Sequence, residues 1–306
     1  MVLLVAAVYV GYRVAYFLRG LTMLSGLAED VGDFYGKVFD RNWSQVLARR
    51  PEDEGWCSVG LWPAPDGYGQ ACGQLVDRML EQCRMDQVQH LLDVGCGRGN
   101  STQRIASAYP HINIVGIDVT PEHVAIARER FRGRQEAVEF VNADATDLSM
   151  VADSSQDIVF ALECAFHFDT RKKFLREALR VLRPGGRAVL ADICSERRSR
   201  ALHKKAWPAI AAIANRISRG LGVPVANIMD IDEYREMVAS LGFSETSVVD
   251  INADTSEPFS RHALHCLKES DAVGHALDPR FRAYAEHNWH YILPRSSRYL
   301  LVALTK

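Results

Sequence analysis

The chain has no surplus of either charge. Lysine and arginine together number 36 against 38 aspartates and glutamates in 306 residues. No overall basic field exists to hold a polyanion, which argues against DNA or RNA as a partner. Close cysteine pairs are also missing. Cys57, Cys72, Cys83, Cys96, Cys164, Cys194 and Cys266 are scattered and odd in number, unlike a disulfide framework or a zinc site, and fit reduced thiols in a cytosol-facing protein. No internal repeat, low-complexity tract or flexible linker divides the chain. What is abundant is apolar residue, 48% of the total, enough for one large α/β domain with additions.

The N-terminus departs from ordinary soluble composition, because Val2 to Leu18 is apolar apart from Arg13 and a few tyrosines. Its charges come late, unlike those of a secretory signal peptide, so the segment is expected to be retained. As a helix it would span roughly 26 Å, slightly less than a hydrocarbon core of about 30 Å. Tyr9, Tyr12, Arg13 and Tyr16 fall on one face, Ala7, Val10, Val14 and Phe17 on the other. Residues 1–19 are therefore read as an apolar helix that spans a membrane, lies in its interface, or packs on the domain.

From His90 onward short β-branched runs alternate with helical patterns, which predicts a mainly parallel sheet with crossover helices. Seven strands are expected: Leu91–Val94, Ile112–Ile117, Val138–Asn142, Asp157–Ala161, Ala188–Asp192, Thr246–Ile251 and Tyr299–Leu304. Thr120 and Pro121 mark one helix start, and Arg183-Pro184-Gly185-Gly186 stops a later helix with a turn. Residues 20–89 form a cap region before the first strand, and residues 195–225 an inserted lid. The lid carries seven arginines and lysines between Arg197 and Arg219, together with Trp207. It reads as the solvated face of a lid helix, as a contact with an anionic membrane surface, or as a cover for a lipophilic substrate. Tyr35, Trp43, Trp56 and Trp62 either close the other side of a pocket or pack in the core.

The most informative segment is Leu91 to Thr102, a strand, a glycine-rich turn (Gly95, Gly97, Gly99) and a helix start. Glycines let a ligand approach the main chain. The spacing is GxGxG rather than the dinucleotide GxGxxG, and Asp93 stands just before it. An acid there would repel a pyrophosphate but accept hydrogen bonds from an ammonium.

This segment, with Ile114-Val115-Gly116-Ile117-Asp118 and Asn142-Ala143-Asp144-Ala145, resembles the class I S-adenosylmethionine (SAM)-dependent methyltransferases over roughly His90 to Ile193 and the final strand. The resemblance implies a doubly wound, Rossmann-like α/β domain of seven mainly parallel strands with SAM as cofactor. In it Asp93, Gly95, Gly97 and Gly99 form the methionine end, Asp118 followed by Val119 the ribose site, and Asp144 with Ala145 the adenine site.

Leu162 to Phe168 resembles the small-molecule branch that includes macrolide-sugar O-methyltransferases and tocopherol, indole-alkaloid and sterol methyltransferases. The implied reaction is transfer of a methyl group to a small-molecule acceptor, preferably a hydroxyl. His167 is the candidate base, or else shapes the pocket or caps the next helix. Glu163 lines the cofactor site, holds an acceptor, or is structural. N- and C-methylation, and a noncatalytic SAM-binding subunit, remain open, and the pattern disfavours a nicotinamide oxidoreductase.

Overall fold

A computed structural model of the chain describes residues 40–64, 67–133, 137–196, 222–272 and 293–306, and Leu277, Phe281, Arg282, Ala285, Glu286 and Trp289 between the last two ranges. The expected helix over residues 2–18, Tyr35, and most of the expected lid lie outside the described residues. Among the described residues no helix is long and apolar enough to cross a membrane.

Seven strands form one sheet: β1 (His90–Val94), β2 (Asn113–Asp118), β3 (Val138–Asn142), β4 (Gln156–Leu162), β5 (Leu182–Ser195), β6 (Glu245–Asp250) and β7 (Ser297–Thr305). Their order is β3-β2-β1-β4-β5-β7-β6. β1 to β5 pair in parallel, and β7 runs antiparallel between β5 and β6. The apolar alternation decides the layering, because successive side chains of a strand face opposite sides. Leu91, Ile158 and Leu301 point into one core and Leu92, Val159 and Leu300 into the other.

The first core is covered by α1 (Asp40–Leu47), α2 (Tyr68–Leu80), α3 (Asn100–Ala108), α4 (Pro121–Phe131) and α7 (Ser256–Ala272). The second is covered by α5 (Arg171–Val181) and α6 (Ile231–Ala239). A short helix, α8 (Leu293–Ser296), leads into β7. The cap aromatics divide between the two expected roles. Trp43 is core, stacked 5.6 Å from Phe259, and Trp62 packs against the same core, whereas Trp56 lines the cavity described below.

Two local expectations shift. The Arg183–Gly186 turn does not separate α5 from β5. It is absorbed as a bulge, with Leu182 opposite Gln156 and Arg187 opposite Ile158. Pro184 and Gly185 stand exposed there, and a Cβ on Gly186 would meet the Arg183 and Asp157 carbonyls at 3.0 Å. Thr120 is the N-cap residue of α4, but its hydroxyl makes no cap bond. Its own N–H instead donates to Asp118 Oδ1 at 2.8 Å, so the strand-end acid does the ordering.

Candidate active site

The carboxyl ends of β1 to β4 open onto one cavity of about 750 Å³, a size that takes a cofactor and a small substrate. The strand order reverses between β1 and β4, the place where open parallel sheets bind ligands. Gly95 and Gly97 both lie in the left-handed region (φ +65° and +54°), which L side chains rarely adopt. Their surroundings differ. A Cβ on Gly95 would press on Cys164 Cβ at 2.5 Å, so this glycine closes the β1 turn onto the β4 turn. A Cβ on Gly97 would meet nothing within 4 Å, so this glycine leaves the main chain open to a ligand. Gly99 is the N-cap residue of α3 and packs under Ala127.

Asp118 ends β2 with its carboxylate held by two backbone donors, Gly97 N–H on Oδ2 (2.9 Å) and Thr120 N–H on Oδ1 (2.8 Å). His123 Nδ1 stands 3.7 Å away. Asp144 is exposed after β3 and oriented by Thr146 N–H (2.8 Å), with Ala145 buried beside it. Val119 is 52% exposed, a large apolar side chain at the cavity wall.

Asp93 sits elsewhere. It is fully buried and does not line the cavity. Its Oδ2 accepts the hydroxyls of Ser101 (2.9 Å) and Thr102 (2.6 Å), and its Oδ1 has no partner. Burial raises the carboxyl to about 6. Ser101 does line the cavity, so its hydroxyl joins Asp93 to the cavity wall. The run Asn100-Ser101-Thr102 directly after the glycines was the available signal for this link.

On the other side stand Trp56, Ser58, Leu162, Glu163, His167 and Phe168. Glu163 lies in the left-handed region (φ +51°), rare for a non-glycine residue and costing on the order of 1 kcal/mol. Three donors hold that conformation. Ser58 Oγ (2.6 Å), Val59 N–H (2.8 Å) and Tyr299 OH (2.6 Å) all reach Oε1. Burial nevertheless pushes this carboxyl up to about 7, against the opposing pull of those hydrogen bonds. Ser58 and Tyr299 are 105 and 136 residues away in sequence, and no local pattern announces them.

His167 ends the short 3-10 turn Ala165–His167 after β4. Its Nδ1 lies 2.8 Å from the Gly222 carbonyl, which can only accept, so Nδ1 carries the proton and Nε2 the lone pair. Burial lowers the imidazole to about 4, so it is neutral at physiological pH. The structure thus brings His167, Glu163, Gly95, Gly97, Asp118, Val119, Asp144 and Ala145 onto one cavity, keeps Gly99 off it as a packing residue against Ala127 and Phe140, and places Asp93 one hydroxyl behind it.

Comparison with known proteins agrees with this geometry. Residues 92–190 match the family described as methyltransferase domain. The erythromycin 3''-O-methyltransferase of Saccharopolyspora erythraea is 30% identical over 219 residues, 70% of this chain and 70% of that protein. The 27-O-demethylrifamycin SV methyltransferase of Amycolatopsis mediterranei is 31% identical over 265 residues, 83% of this chain and 90% of that protein. Among solved structures, the 4+2 cyclase SpnF superposes with a TM-score of 0.70 at 25% identity, covering 90% of this chain and 95% of that one. The chain belongs to the class I SAM-dependent methyltransferases. It is an enzyme that methylates a small molecule with SAM as donor. The residues present fit that cofactor. The open cradle at Gly97 leaves room beside the main chain, and Ser101 offers a hydroxyl at the cavity wall backed by the buried Asp93 carboxylate.

Proposed function

We propose that the enzyme O-methylates a hydroxyl of a neutral, partly apolar small molecule of the natural-product kind, with His167 as base. The observation that carries this reading is the His167–Gly222 contact. It fixes a neutral imidazole with its proton on Nδ1, in a residue that lines the cavity. The named relatives, acting on erythromycin-type and rifamycin-type molecules, support an oxygen acceptor. Trp56, Leu162 and Phe168 give that side apolar surface.

Within this reading SAM, when bound, supplies an electrophilic methyl group. Asp118 would hold the ribose hydroxyls, its carboxylate already aimed by one backbone donor on each oxygen. Asp144 accepts the adenine amino group, Ala145 N–H meets the ring, and Val119 covers its face. Ser101 Oγ would accept a hydrogen bond from the ammonium while it donates its own proton to Asp93 Oδ2. Glu163 holds the acceptor hydroxyl through Oε2, because all three described donors crowd Oε1. The hydroxyl proton becomes strongly acidic as the oxygen gains its methyl group, so even a weak base removes it if well placed. Position matters more than basicity for His167.

The test is incubation with labelled SAM and fractionated metabolite extracts, alongside calorimetry with SAM, its demethylated product and NAD. A labelled ether product with micromolar-scale SAM binding supports the reading, labelled amine products would move it to N-methylation, and NAD binding as tight as SAM would overturn it. A noncatalytic subunit would bind SAM and label nothing. Membrane association of residues 2–18 is proposed on their composition alone. Deleting residues 1–19 should move the protein to the soluble fraction with SAM binding intact, whereas unfolding of the truncated chain would make the segment a packed domain helix.

A further inference from the structure

The turn that carries His167 is three residues long, too short to hold a ring at a fixed angle by its own hydrogen bonds. It is held from outside by Asn227, which is almost fully buried. The Asn227 amide Nδ2 donates to two carbonyls that flank the histidine, Phe166 O at 3.0 Å and Phe168 O at 2.6 Å. Its Oδ1 accepts the Arg171 backbone N–H at 2.9 Å, and its main-chain carbonyl accepts Arg171 Nη1 at 2.9 Å. Every polar function of this side chain is thus spent on the two elements that bracket His167. Only an amide does this, because a carboxylate at the same place would face two carbonyls with no proton to give.

The anchor behind Asn227 is stiff. Arg171 and Asp192 form a fully buried ion pair, Nε to Oδ2 at 2.7 Å. Arg171 Nη2 also donates to the Ile193 carbonyl at 3.0 Å. Tyr234 OH donates to Asp192 Oδ2 at 2.9 Å and Ile193 N–H to Oδ1 at 2.8 Å. Removing two charges from water is costly, and a hydrophobic pair would often be as stable, so such a pair is weak evidence for stability. Here its geometric consequence is definite: β5, α5 and α6 are tied together, and Asn227 hangs from them. The same stretch returns to the histidine, because Gly222, five residues before Asn227, supplies the carbonyl that holds Nδ1. The stretch closes through a 3-10 turn at Val225–Asn227 with Asn227 N–H on the Pro224 carbonyl at 2.8 Å.

We propose that Asn227 is a positioning residue for methyl transfer, locking the turn under His167 and the segment bearing the Gly222 carbonyl into one unit so that the imidazole keeps one orientation and one tautomer at the cavity. The proposal rests on the reading of His167 as base. Asn227 itself touches neither substrate nor cofactor in that scheme and acts only through His167.

The experiment is a double-mutant cycle on the full-length enzyme, with kcat and KM measured for Asn227→Ala, His167→Ala and the pair. If Asn227 acts through His167, Asn227→Ala should lower kcat by roughly 10- to 100-fold, the scale of a small misplacement of a reacting group. KM for SAM should change by less than about twofold, and the second substitution should add nothing in the His167→Ala background. Nitrogen NMR of histidine-labelled enzyme should show the Nδ1–H tautomer in the wild type and a mixture in Asn227→Ala. Equal losses in both backgrounds, or an unchanged tautomer, would overturn the proposal while leaving His167 as base. Full activity in His167→Ala would overturn the base reading and the proposal with it. Should Asn227→Ala fail to fold, Gly222→Ala serves in the same cycle. An alanine adopts the left-handed backbone of Gly222 (φ +62°) only under strain, so this substitution should disturb the segment that bears the carbonyl without removing any Asn227 contact to Arg171.

Discussion

At the residue scale the site depends on side chains held away from their ordinary protonation. His167 is pushed down to about 4 and Glu163 up to about 7, both chiefly by burial, which separates them in role. A base with a pKa of about 4 is ready at every pH above about 5, so its acid limb should lie near pH 4 and not near neutrality. His167→Ala should lower turnover by roughly 10²- to 10⁴-fold with SAM affinity nearly unchanged. The residual rate should climb at high pH, where the acceptor hydroxyl ionises unaided. The check is the pH profile of both enzymes at saturating SAM. A wild-type limb near 7 that disappears in Glu163→Gln would transfer the base role to Glu163. His167 could be picked from the sequence because it follows a strand at the ligand edge. Its tautomer could not, because the Gly222 carbonyl comes from 55 residues downstream.

At the element scale the glycine turn between β1 and α3 does two jobs with neighbouring residues. Gly95→Ala drives a Cβ into Cys164, at 2.5 Å from its Cβ and 2.7 Å from its Sγ, and should destabilise the fold through both clash and backbone strain. Gly97→Ala meets no neighbour, so its stability cost should be limited to the left-handed backbone, about 1–2 kcal/mol. Its SAM affinity should fall sharply all the same, since the new methyl group occupies the cradle. Thermal unfolding and calorimetry on the two variants separate the roles. Similar SAM affinities for Gly97→Ala and the wild type would show that no ligand crosses that face. The strands and this turn were legible because apolar alternation and glycine spacing are local signals. The bulge at Arg183–Gly186 was not, because Pro-Gly-Gly reads as a stop, and only pairing of Leu182 with Gln156 reveals that the strand has already begun.

At the scale of the whole molecule two buried acids oppose folding at neutral pH. Asp93 sits at about 6 and Glu163 at about 7, both above ordinary carboxylate values because burial disfavours their charge. Their folded-state pKa values exceed the unfolded ones, so the folded chain binds more protons between about pH 4 and 7 and loses stability as pH rises through that window. Apo protein carrying Asp93→Asn and Glu163→Gln should therefore gain stability relative to wild type from pH 5 to pH 8. The gain is on the order of a few kcal/mol, since one pKa unit is worth about 1.4 kcal/mol. Denaturant titrations at both values measure it, and a constant difference across the window would mean the two acids are not charged at a cost. Saturating SAM should narrow the gap, because the ammonium favours ionised Asp93 and binding stabilises the folded state.

Taken alone, the sequence determined the sheet through its periodicity, and the class of cofactor and the acids at or just after the ends of β2 and β3 through the resemblance of their short motifs to the class I methyltransferases. Tertiary structure decided what distant segments do to one another. It buried Asp93 behind Ser101 instead of on the cavity. It gathered Ser58, Val59 and Tyr299 onto one oxygen of Glu163, and it set His167 against Gly222 and Asn227 through the Arg171–Asp192 pair. The physical reason is range. Strand and turn preferences act between neighbours, whereas desolvation and hydrogen-bond partners depend on which remote chain closes over a group, and only the folded molecule settles that.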